Sequence, residues 1–214
     1  MSLHIEKPPP TAYKMIADAI KRMSIAGGTA ARAVNVSDPS RLNAATPHKV
    51  FVLDADDIVN GRMLDVAQLV AWRFLLLDNQ TPIAAVELSC DGKGNNLKFA
   101  SVNVGPFVVG TRAAILQAEG LDVVNEGEYD LRALRAPSVY VMAIWLKDRQ
   151  GTKDLLIPIT PSNQAVAPVS AMASTLGVSA PPPHPPQEAD TFLNALRPAA
   201  RQARTFDSSP QRKP

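Results

Sequence analysis

The chain has 214 residues, a formal charge of +2 and 46% hydrophobic residues, which is the length of one domain and enough apolar material for a core. Its one cysteine, Cys90, excludes an internal disulfide, and no apolar run approaches the ~18 residues that suggest a membrane helix. Ten of the 19 prolines fall between Pro161 and Pro214; the body before them carries equal numbers of acidic and basic residues, which argues against a nucleic-acid surface built on clustered Lys and Arg.

Met1 to Pro10 reads as a flexible segment with three consecutive prolines and no apolar leader, so a cytoplasmic location is expected. Thr11 can cap a helix running to about Met23, with Tyr13, Ile16, Ala17, Ile20 and Met23 at helical spacing as its buried stripe. Gly27 and Gly28 end it, and residues 29 to 48 read as a long connection. Lys49 to Leu53 is a short strand candidate, followed by the acidic turn Asp54-Ala-Asp-Asp57 and a helical turn through Asn60.

Leu69 to Leu77 and Pro82 to Ser89 are two strand-like runs separated by Asp78-Asn-Gln-Thr81, and antiparallel pairing follows. In the first run Trp72, Phe74 and Leu76 share one face, with Arg73, Leu75 and Leu77 on the other. The polar loop Asp91 to Asn96 leads to a strand over Leu97 to Val104. Gly105-Pro106 then opens a helix to about Glu119, with Phe107, Thr111, Ala114, Ile115 and Ala118 as its buried stripe and Gly120 just past its end.

Tyr129 to Ala136 is a half-polar strand closed by Pro137. Val139 to Leu146 is apolar on both sides and predicts a central strand covered on both faces. Asp148 to Gly151 is a second hairpin loop. Asp154 to Ile159 is a strand that Pro158, lacking an amide donor, places at an edge.

Residues 161 to 188 are rich in Pro, Ala and Ser and read as a disordered linker. Residues 189 to 206 read as an amphipathic helix and 207 to 214 as a tail. The fold class is therefore α+β over residues 11 to 160, a mainly antiparallel sheet of five or six strands packed by two helices. Covering both sheet faces requires helices on opposite sides or a homodimer through the sheet.

Three groups of residues invite a function. Phe51 to Asp57 is an apolar run ending in Asp54-Ala-Asp56, and it resembles the nucleophile segment of haloacid-dehalogenase-like phosphotransferases. That resemblance implies a nucleophilic carboxylate, a second acid/base carboxylate and magnesium among Asp54, Asp56 and Asp57. It covers this stretch alone: Ile58 stands where the pattern has Thr or Val, Glu126, Glu128 and Asp130 precede a strand rather than follow one, and the hairpins do not build a parallel sheet. A calcium loop through Asp54, Asp56 and Asn60 fails where Ile58 replaces an oxygen ligand. The simpler expectation is an acidic turn in which Asp54 or Asp57 caps a short helix.

Ser101, Asn103 and Gly105, ahead of a helix start and with Arg112 further along, could hold an anion on amides and polar side chains. The third group is Phe192, Leu193, Leu196, Arg197 and Arg201 on the last helix, which could recognise another protein or close on the chain's own body. Cys90 has no activating neighbours in sequence, and Trp72, Trp145 and Tyr140 read as core residues. The leading expectation is a non-enzymatic adaptor without cofactor that uses its tethered helix; the alternative is a metal-dependent phosphohydrolase or a small-anion-binding protein.

Overall fold

A computed structural model describes residues 3–26, 41–62, 64–151, 153–159 and 184–207. Most of the 161 to 188 linker and the last seven residues lie outside that set. The described chain is a mixed α+β fold with one nine-stranded, mostly antiparallel sheet. The strands are β1 (Leu3–His4), β2 (Leu42–Val52), β3 (Gln68–Asp78), β4 (Thr81–Ser89), β5 (Lys98–Asn103), β6 (Tyr129–Ala136), β7 (Val141–Asp148), β8 (Leu155–Pro158) and β9 (Gln187–Glu188). The helices are α1 (Thr11–Ala26), α2 (Ala55–Val59), α3 (Pro106–Glu119), α4 (Asp122–Glu126) and α5 (Ala189–Asp207). Nine strands replace the expected five or six, and three helices rather than two carry the main packing.

The sheet order is β5-β4-β3-β2-β6-β7-β8-β9. On each side of the middle, neighbouring strands pair antiparallel; the middle pair, β2 with β6, is parallel, matching Lys49 to Val52 with Arg132 to Arg135. Thr46 has φ 46° and β2 shifts register between Ala45 and His48, so its first residues pair with β3 alone. Beside the start of β6, β1 pairs with Tyr129 and Asp130 instead. The expected connection through residue 48 is thus partly strand, because Pro47 hid a ladder that the bulge accommodates.

Period-two alternation sorts the side chains onto two faces. On one face, Leu75, Leu77 and Ala85 join Leu131, Ile144, Leu146 and Ile157 under Val108, Ala114, Ile115 and Ala118 of α3. That helix spans the middle of the sheet. On the other face α1 covers Trp72, Phe74, Leu76, Val86 and Leu88. There α5 covers Leu134, Ala143, Trp145 and Leu156 with Phe192 and Leu193. Helices on opposite faces therefore cover the apolar strand β7, without recourse to a second copy.

Several details correct the sequence reading. β7 begins at Val141; Pro137–Val139 is a 3-10 turn and Tyr140 is left-handed at φ 55° and 94% exposed, not core. β7 is also not at the middle of the sheet, a place taken by β2 and β6. The buried stripe of α1 is Ala12, Ile16 and Ala19, while Tyr13 is half exposed and lays its ring edge-on against Phe74. Ile16 fills the contact with the sheet, and the alanines on either side of it leave room for Trp72 and Phe74. In α3, Val108 takes the buried place expected of Phe107. No described helix is long and apolar enough to cross a membrane.

Candidate functional site

The face under α3 is largely apolar, with one polar row that crosses four strands. Ser101 on β5 pairs with Glu87 on β4, Glu87 with Arg73 on β3, and Arg73 with His48 on β2. Four polar side chains thus lie side by side across four strands, three of them buried. Arg135 reaches the same spot from β6.

Glu87 organises this row. Its Oε1 accepts a hydrogen bond from Arg73 Nη1 at 2.6 Å and another from Arg135 Nη2. Burial alone would raise the carboxyl pKa, but hydrogen bonds and charge from Arg135 and Arg73 outweigh it and hold Glu87 below its usual range. Burial lowers the pKa of Arg73 in turn, against the support of Glu87. Two guanidinium groups on one carboxylate leave the cluster one positive charge in excess. Arg73 Nε is buried with no hydrogen-bond partner, an arrangement that costs free energy unless something supplies an acceptor.

His48 is fully buried beside Arg73. Its Nδ1 lies 2.7 Å from the Thr46 carbonyl, which fixes the tautomer with the proton on Nδ1 and leaves Nε2 as an unpartnered lone pair. Burial pushes its pKa down to about 4, so the ring is neutral at physiological pH.

A cavity of about 300 Å³ opens on this cluster, lined by Arg73, Glu87, Ser101, Asn103 and Arg135 on its polar side and by Val104, Phe107, Val108 and Met142 on its apolar side. The start of α3 borders it. Gly105 precedes that helix at φ 100° and ψ −163°, a backbone shape open to glycine, and Pro106 follows at the first position. This turn sets Phe107 and Val108 at the cavity; Pro106 has no N–H and the Val108 amide donates to the Gly105 carbonyl at 3.0 Å, so Phe107 carries the open amide of the first turn. Asn103 Nδ2 donates to Ser101 Oγ at 3.2 Å, so the Ser101 hydroxyl hydrogen remains available to another acceptor.

Of the residues singled out in sequence, Ser101 and Asn103 therefore line the cavity, Gly105 shapes the turn beside it, and Arg112 is half-buried away from the lining. Sequence reading missed Arg73, Glu87, Arg135 and His48. A signal existed: the β3–β4 hairpin carries one basic and one acidic residue inside otherwise apolar runs, at nearly equal distances from its loop.

The acidic turn holds a different arrangement. Asp56 pairs with Arg204 of α5 at 2.7 Å and Asp57 with Arg62 at 3.1 Å. Asp54 precedes α2 without a side-chain cap bond, so the expected capping role is not seen there. No group of three metal-ligating side chains occurs among the described residues. On α5, Phe192 and Leu193 are core, and Leu196 packs against the same cluster. The Arg197 guanidinium lies so close to Gly61 that a Cβ there would fall 2.5 Å from Nη2, and Arg201 is exposed. Cys90 is half-buried, with its thiol pKa raised by burial and by Asp91, the opposite of a nucleophile's needs.

The chain matches no family model, no curated protein and no solved structure.

Proposed function

We propose that the protein binds a small anion in the cavity beneath the start of α3. The observation that carries this reading is the pair of arginines held on one buried carboxylate at the cavity wall. Glu87 positions the two guanidinium groups and would not itself touch an anion. Arg135, whose side chain is 28% exposed, is the principal donor, since its one described hydrogen bond leaves most of its fork open. Ser101 adds a hydroxyl donor and the first turn of α3 adds the Phe107 amide and the positive end of its dipole.

The test is thermal denaturation of the full chain in increasing inorganic phosphate, sulfate and acetate at constant ionic strength. A ligand that binds only the folded state raises the midpoint with its concentration, by about 2.7 kcal/mol at a hundred times Kd. At least one of these anions should raise the midpoint saturably, and Arg135→Gln should remove the effect. Three flat titrations, or an undiminished effect in the Arg135→Gln protein, would overturn the proposal.

A further inference from the structure

The cavity also has a shape that selects among anions. Resting on the anion-site reading above, we infer that its ligand is a small monocarboxylate bearing an apolar group. Charge is the first argument. The cluster of Arg73, Arg135 and Glu87 carries one net positive charge, so one negative charge neutralises it, whereas a dianion would face the Glu87 carboxylate with charge left over. Geometry is the second. A planar carboxylate accepts two parallel bonds from a guanidinium, and Arg135 has donors to spare while the Ser101 hydroxyl lines the same cavity.

The apolar wall is the third argument. Val104 and Phe107 are 42% and 43% exposed at the cavity, beside buried Val108 and half-buried Met142. An inorganic oxyanion would leave that wall wet. An apolar substituent of the ligand would cover it, which is the usual division of labour in small-molecule sites: apolar contact for affinity and a few polar groups for orientation. At about 300 Å³ the cavity is at the small end of such sites, and suits a compact chain or single ring rather than a nucleotide.

Isothermal titration of the full chain with 3-phenylpropionate, 3-phenylpropanamide, acetate and inorganic phosphate tests this. The phenylpropionate should bind at least about tenfold more tightly than the other three. Phe107→Ala should bring its affinity toward that of acetate, and Arg135→Lys, which keeps the charge but loses the fork, should weaken both carboxylates; circular dichroism checks that each variant is folded. If phosphate binds and phenylpropionate does not, the ligand class is wrong while the anion site stands. Equal binding of acid and amide, or of phenylpropionate and acetate, also overturns the inference. Silence from all three anions overturns the underlying anion reading with it.

Discussion

The His48 imidazole must gain a proton without water, beside a guanidinium, which is why its pKa falls to about 4. In the unfolded chain a histidine titrates near 6.5, so between those values the unfolded state binds more protons and stability rises with pH. The contribution is complete above about pH 6.5 and is lost as pH falls toward 4, to the extent of about 3 kcal/mol. Urea denaturation from pH 7 to 4.5 should show that slope, and His48→Gln should flatten it. Glu87, whose pKa is depressed, acts lower: its contribution is present above the ordinary carboxylate range and lost below it. Glu87→Gln should cost roughly 3–5 kcal/mol, because it strands buried positive charge. The triple variant Arg73→Met, Glu87→Leu, Arg135→Met should recover much of that stability yet bind no anion, a result that separates the cluster's use from its role in folding.

At the level of elements, the strands and helices whose pattern runs for several residues were legible before any coordinates. Tyr129–Ala136 and Pro106–Glu119 are bounded by Pro and Gly and match their predicted spans. β1 and β9 were not legible, since two residues carry no periodicity. The site was half legible for a related reason. Ser101 and Asn103 stand out locally before a helix, but Arg73, Glu87 and Arg135 meet only through cross-strand register, which the shift between Leu76 and Leu77 moves by a residue. The fate of α5 likewise depended on tertiary contact: its pattern allowed docking on a partner or on the body, and the clusters place it on the body. Phe192→Ala should therefore lower stability by about 3–5 kcal/mol in chemical denaturation. Arg201→Ala, on the exposed side of the same helix, should stay within about 0.5 kcal/mol of the parent protein.

For the molecule as a whole, the hairpins β3–β4 and β6–β7 pair residues that are near in sequence, whereas β2 and β6 join segments separated by most of the domain. Local pairings form early at little entropic cost, while the joining of β2 to β6 must wait for a long loop to close. α3 lies across that seam and clamps it, packing on Leu75 and Ala85 from one side and on Leu131 and Ile144 from the other. The seam is then the last part to form, and once clamped it opens only when the two halves come apart together. In native-state hydrogen exchange, the amides laddered between Val50, Val52, Ala133 and Arg135 should exchange only through global unfolding, at a free energy equal to that of the whole fold. Amides at the ends of the sheet, in β5 and β9, should exchange through smaller openings. The parallel pair thus makes two locally sufficient halves into a single cooperative unit, whose lifetime is set at its centre.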